Sequence, residues 1–169
     1  MQVAVAAYSG DLGQPYRREA QRFVERVAEL CGRDTVMFLG GYRGLMRVVA
    51  DEALKAGLQV VFVIPVDYEA DSYPAGSVVV RTGLGPRERS AVLVRSGDVV
   101  VALGGGLGTL FEVFLAVSYG KRILMLRGFG APSDKFADCY SDGVVDERFA
   151  ARVEYYESGE TLAEALCGG

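Results

Sequence analysis

The sequence predicts an α/β fold, a doubly wound parallel sheet in a three-layer α/β/α arrangement. Three observations carry that expectation. Short apolar runs alternate with amphipathic segments along the whole chain. The run Gln59–Ile64 is continuous and rich in β-branched residues, the pattern of a strand covered on both faces. Glycine-containing turns follow the runs that close at Ala7, Leu39 and Leu103, and open α/β sheets gather their ligands at such strand ends.

Val3–Ala7 reads as the first strand, followed by a loop through Tyr8-Ser9-Gly10-Asp11. Pro15 suits a helix start. Ala20, Phe23, Val24, Val27, Leu30 and Cys31 then recur at helical spacing, and Gly32 suits the C-cap. Thr35–Leu39 is a second strand, Leu45–Ala56 a helix stopped by Gly57, and Gln59–Ile64 a third strand. Pro65–Gly76 reads as a loop. Ser77–Arg81 is a fourth strand, and Gly85-Pro86 opens a helix over Arg87–Ser96. Asp98–Leu103 is a very apolar fifth strand, Thr109–Tyr119 a helix, and Arg122–Leu126 a sixth strand. Arg127–Glu147 reads as mixed loop and short helix, Val153–Tyr156 as an edge strand, and Thr161–Cys167 as a final short helix. With no repeat or linker, residues 1–169 are read as a single domain.

Composition narrows the function. Half of the 169 residues are hydrophobic (50%), which argues against disorder. A net charge of -4 makes no electrostatic case for nucleic-acid or membrane partners. There is no histidine, so His-based triads, metal sites and acid–base chemistry are excluded. Cys31, Cys139 and Cys167 are odd in number and lack metal-ligand spacing; they read as incidental thiols, and no metal site is expected. Met1–Ala7 lacks the basic start of a signal peptide. No apolar stretch reaches the ~20 residues of a membrane span. The expectation is a cytoplasmic protein.

The chemistry points to the turn Gly104-Gly105-Gly106-Leu107-Gly108-Thr109. It joins a buried strand to a helix, and its glycines let a ligand approach the backbone. The free N–H groups and dipole of the helix that follows favour an anion. The turn lacks the Gly-Lys-Ser/Thr of a P-loop and the GxGxxG of a dinucleotide site. Glu112, three residues after Thr109, admits two readings: a capping box with Thr109, or a carboxylate facing a ribose or a water. Of Arg87, Arg89 and Arg95 on one helix, Arg89 is the best placed for a site at the sheet's C-terminal edge. Arg43, beside Gly40, Gly41 and Gly44, is a second candidate for an anionic group. Ser9 and Gly10 offer a hydroxyl and a backbone donor at the first strand's end. Tyr8, Tyr42 and Tyr68 offer rings to a base.

These residues resemble a known family. Gly105-Gly106-Leu107-Gly108-Thr109-Leu110-Phe111-Glu112 is similar to the PGGxGTxxE motif of the LOG family, historically labelled lysine decarboxylase-like. Gly40-Gly41-Tyr42-Arg43-Gly44-Leu45-Met46 resembles its GG…GLM segment. Thr82-Gly83-Leu84-Gly85 through Arg89, with Leu93-Val94-Arg95-Ser96, resembles the TGMG…RN…LVRSAD stretch of a shorter subgroup that also resembles molybdenum cofactor carrier proteins. The resemblance runs from Val3 to Leu126.

It implies a Rossmann-like fold, commonly dimeric, and cleavage of the N-glycosidic bond of nucleoside 5'-monophosphates without a cofactor. By position it puts the catalytic Arg on Arg89 and the catalytic Glu on Glu112. The phosphate-binding residues fall on Gly105, Gly106, Gly108 and Thr109. Three positions depart from the motif: Gly104 stands for Pro, Ser90 for the Lys after the catalytic Arg, and Phe111 for an acidic residue. The expected partner is a nucleoside monophosphate or another phosphorylated small molecule, such as a molybdopterin carried without chemistry. A homodimer or larger homo-oligomer is expected as well, because the Thr109–Tyr119 helix is apolar on nearly every face.

Overall fold

The computed structural model describes residues 1–168. In chain order the elements are β1 (Gln2–Ala6), α1 (Gln14–Leu30), β2 (Val36–Leu39), α2 (Gly44–Lys55), β3 (Gln59–Ile64), β4 (Val78–Arg81), α3 (Pro86–Ser96), β5 (Val99–Ala102), α4 (Leu107–Ser118), β6 (Arg122–Leu126), α5 (Pro132–Cys139), β7 (Val153–Tyr156) and α6 (Gly159–Cys167). The strands form one seven-stranded sheet in the order β4-β3-β2-β1-β5-β6-β7. Every neighbouring pair is parallel. This is the Rossmann-like α/β arrangement the sequence predicts. The chain winds outward from β1 in one direction and from β5 in the other, so the switch point lies between those two strands.

Side chains on a strand alternate between its faces, and here they sort into two cores. Val3 and Val5 of β1 face a core with Phe23, Val27, Val49 and Leu162, under α1, α2 and α6. Ala4 and Ala6 face the other, with Val94, Val113, Val117 and Phe136, under α3, α4 and α5. The small alanines on that second face let α3 and α4 lie close to the sheet. No helix among the described residues is long and apolar enough to cross a membrane.

Two details differ from the sequence reading. The helices α1 and α6 lie side by side, and two of the three cysteines meet at their C-terminal ends. Cys31 and Cys167 are disulfide-bonded with Cα atoms 5.3 Å apart, so these two are not incidental thiols; only Cys139 is free. Their separation of 136 residues leaves no local spacing to signal the pair. At the other end of this contact, the Glu19 carboxylate accepts from the Gly159 N–H at the start of α6 (2.9 Å). Second, α4 begins at Leu107 with Gly106 as N-cap. Thr109 is therefore inside the first turn, and the capping box with Glu112 does not form. The segment read as mixed loop and short helix does hold a short helix, α5, started by Pro132 at its first position.

Candidate functional site

The C-terminal ends of β1 and β5 are joined by hydrogen bonds from the Leu103 N–H to the Ala6 carbonyl (3.0 Å) and from the Tyr8 N–H to the Gly104 carbonyl (3.2 Å). The Tyr8 carbonyl accepts from the Leu45 N–H at the start of α2 (2.9 Å). Parallel pairing of β1 with β2 and β5 makes these turns neighbours, so three strand ends converge. Gly104 has φ +97° and lies against the Tyr16 ring. The motif's proline cannot stand there, because its ring fixes φ near about -65°. Ser133 clamps the next residue: Gly105 N–H donates to Ser133 Oγ (3.2 Å), and Ser133 N–H donates to the Gly105 carbonyl (2.9 Å). The Gly105 amide is thus already used. The amides of Leu107, Gly108 and Thr109, in the first turn of α4, have no intrahelical acceptor.

Arg89 and Glu112 are brought together from α3 and α4. Arg89 Nη1 lies 3.3 Å from Glu112 Oε1, with both side chains about nine-tenths buried. A Cβ at Gly40 would overlap the Arg89 guanidinium, so the glycine after β2 is what lets the arginine lie flat at the sheet edge. Ser90 Oγ sits 2.9 Å from Glu112 Oε1 and 3.1 Å from the Pro86 carbonyl. Its single proton serves one of them at a time, and the ionised carboxylate is the stronger acceptor. Burial pushes the Glu112 carboxyl up to about 7, against the opposing pull of Arg89 and the Ser90 hydroxyl. Burial likewise draws Arg89 below its ordinary value. Both shifts have the same physical cause, since removal from water costs each charge more than the 3.3 Å pair returns. Arg89 Nε is buried and has no hydrogen-bond partner among the described residues.

A cleft of about 170 Å³ opens above this pair. Ala7, Tyr8 and Ser9 line it from the loop after β1, Met46 from α2, Tyr68 from the segment after β3, Pro86, Arg87, Arg89 and Ser90 from α3, and Gly108, Thr109 and Glu112 from α4. A larger groove of about 320 Å³ between α1 and α6 is lined by Arg22, Glu25, Arg26, Glu29 and Glu160. Its arginines are paired, Arg22 with Glu19 and Arg26 with Glu29 and Glu164. It is an ion-paired surface, whereas the smaller cleft holds the buried Arg89–Glu112 pair.

Of the residues singled out in the sequence, Arg89, Glu112, Ser9, Gly108 and Thr109 share this cleft, together with Tyr8, Tyr68 and Arg87. Gly40, Gly41, Gly10, Gly105 and Gly106 stand behind its walls. Gly41 is packed under the Tyr68 ring, Gly10 under the Tyr8 ring, and Gly106 caps α4. Arg43 is turned away from the expected anion: its guanidinium makes a two-pronged pair with Asp71 (2.7 and 2.8 Å) and lies 4.3 Å above the Tyr68 ring. Its charge is matched within the protein, because the acidic loop after β3 folds back over the Gly40–Gly44 turn. Sequence reasoning missed Ser133 and Tyr16, which hold the glycine turn, and the contact of Ser90 with Glu112. For Ser90 the signal was present: it follows Arg89 and replaces a lysine of the motif. Ser133 lies in the segment without periodicity and carried no signal.

Comparison with known proteins agrees with this geometry. The chain is similar to TM1055, a protein of known X-ray structure, at 31% identity and a TM-score of 0.84, covering 98% of this chain and 97% of that one. It is similar to the molybdenum cofactor binding protein from the phototrophic bacterium Rippkaea orientalis, at 25% identity and a TM-score of 0.78, covering 98% and 94% of the two chains. It is 32% identical over 137 residues to the rice (Oryza sativa subsp. japonica) cytokinin riboside 5'-monophosphate phosphoribohydrolase LOG, covering 73% of this chain and 56% of the rice protein. The match therefore spans little more than half the length of that enzyme. The SLOG cluster4 family model matches residues 1–160, so the glycine turn, Arg89 and Glu112 all fall inside it, and the chain belongs to the SLOG cluster4 family, a LOG-like group.

Proposed function

We propose that this protein hydrolyses the N-glycosidic bond of a nucleoside 5'-monophosphate, giving free base and ribose 5-phosphate. The observation that carries the reading is a buried carboxyl, Glu112, paired with a buried arginine at the floor of a cleft walled by a helix N-terminus. The first-turn amides of α4 hold the 5'-phosphate, assisted by the helix dipole. Arg89, whose Nε has no partner in the protein, positions the nucleotide. As the bond from C1' to the base nitrogen breaks, positive charge grows on the ribose C1' and ring oxygen. Ionised Glu112 stabilises that charge and takes a proton from the water attacking C1'. The base leaves with the bonding electron pair and is protonated from solvent. Tyr8 and Tyr68 at the rim offer ring faces to the base. No cofactor is required, and a homodimer is the proposed assembly.

A second reading keeps the same cleft and drops the chemistry: a carrier of a phosphorylated ligand. It is favoured by Ser90, a neutral residue where LOG enzymes carry lysine, and by the likeness to a molybdenum cofactor binding protein over 98% of this chain. Incubation with common nucleoside monophosphates, assayed for free base and ribose 5-phosphate, separates the two. The hydrolase reading expects release of base, kcat/KM that falls as pH drops below about 7, and loss of turnover with retained AMP binding in Glu112→Gln. A wild type that binds AMP and releases no base from any of them is a carrier. Unchanged kcat in Glu112→Gln removes the carboxyl from the mechanism.

A further inference from the structure

Arg87 stands in the first turn of α3 and lines the same cleft as Arg89, Gly108 and Thr109. The other two arginines near the cleft are matched, Arg43 by Asp71 and Arg89 by Glu112. Among the described residues no carboxylate pairs with Arg87. Its guanidinium carbon instead lies 5.7 Å from the centre of the Phe111 ring. A carboxylate there would sit beneath Arg87 and cancel its charge; the phenyl ring leaves it uncancelled. Arg87 also borders the start of α4, with Nη1 3.7 Å from where a Cβ on Gly108 would stand. The free amides of the α4 first turn are therefore within the reach of one flexible cationic side chain. A second observation marks the place as a ligand site: Arg89 is 8% exposed, lines the cleft, and its buried Nε lacks an acceptor.

We propose that Arg87 is a ligand-binding residue that closes over a phosphate monoester dianion from the α3 side, while the α4 amides hold it from the other. The proposal rests on the reading of the cleft as a site for a phosphorylated ligand. Charge arithmetic selects the dianion. The α4 N-terminus offers about half a positive charge, and the charge of Arg89 is shared with Glu112. Arg87 supplies the full cation that is otherwise missing. A neutral nucleoside gains nothing from it.

The test is calorimetric titration at low salt with AMP, inorganic phosphate and adenosine. The proteins are the wild type, Arg87→Gln, Phe111→Glu, and Arg95→Gln as a control that removes one positive charge from the same helix. Arg87→Gln is expected to bind AMP about tenfold more weakly, the lower end for a charged hydrogen bond because this side chain is exposed. Phe111→Glu is expected to weaken AMP binding similarly, with adenosine binding unchanged in both. If the wild type binds AMP and Arg87→Gln binds it equally well, the cleft reading stands and the role of Arg87 is refuted. Equal losses in Arg87→Gln and Arg95→Gln also refute it, since they report the general field of the helix rather than a contact. If the wild type binds neither AMP nor phosphate, the cleft reading itself falls, and Arg87 with it.

Discussion

Replacing Glu112 by Gln asks whether burial or the Arg89 pair governs this carboxyl. Burial lifts it from 4.5 to about 7 even with Arg89 and Ser90 beside it. At roughly 1.4 kcal/mol per pH unit, that gap corresponds to about 3 kcal/mol. The folded protein holds the proton more tightly than the unfolded chain does. The stability this provides is complete below about pH 4.5, drains away as the pH rises to about 7, and is gone above it. Gln has the shape of the protonated side chain and cannot ionise, so the variant escapes the loss. Urea unfolding of both proteins between pH 4 and 9 measures the difference. That difference should move by about 3 kcal/mol in favour of Glu112→Gln between pH 4.5 and 7, then stay level. A difference flat with pH would mean that the carboxyl is not perturbed. Movement toward the wild type would mean that the pair with Arg89 outweighs burial, and the reasoning would fail.

Two further outcomes follow from the fold. The Cys31–Cys167 link closes most of the chain into one loop, a constraint worth about 2–4 kcal/mol. Cys167→Ser should therefore melt at a lower temperature than the oxidised wild type, and thiol titration of the unfolded, unreduced wild type should find one free thiol of the three cysteines; three reactive thiols would show that the link does not form. On α4, Val113, Ala116 and Val117 are buried, whereas Leu107 is 74% and Phe114 45% exposed in the single chain, with α5 covering only part of the outer strip through Phe136. A homodimer through that strip should appear in light scattering at micromolar concentration and be weakened by Phe114→Glu; a wild-type monomer would remove the assembly.

Much of this fold was legible because its signals are local. Gln59–Ile64, Arg122–Leu126 and Val153–Tyr156 have the boundaries that the apolar runs suggest. The glycine turn, Arg89 and Glu112 stand out by residue type, and parallel pairing of β1 with β5 brings them to one place. What was not legible depends on contacts distant in sequence. Arg43 looked free beside its glycines, and its partner, Asp71, comes 28 residues later from a loop with no periodic pattern. The disulfide spans 136 residues, and only the packing of α1 on α6 makes it. The first turn of α4 begins before Thr109 because Gly106, which has no side chain to cap with, still closes the turn through its carbonyl to the Leu110 N–H (3.0 Å).

The three departures from the family motif turn out to have separate local causes that act on one cleft. Gly104 replaces proline because the backbone there takes a positive φ against the Tyr16 ring. That conformation also directs the chain to Ser133, which consumes the Gly105 amide, so the amides without an acceptor are those of the α4 first turn. Ser90 replaces lysine and presents a neutral hydroxyl to Glu112. A lysine ammonium at that spot would add a second cation, stabilise the carboxylate and lower its pKa; a hydroxyl does so less, so burial prevails and the carboxyl rises to about 7. Phe111 replaces an acidic residue and leaves Arg87 without a carboxylate. Together the changes move positive charge away from Glu112 at the floor and toward the rim of the cleft. For a site that takes a phosphorylated ligand, such a shift favours holding the phosphate over keeping the carboxyl ionised. This is the physical reason that turnover and binding must be measured separately to distinguish a hydrolase from a carrier built on the same frame.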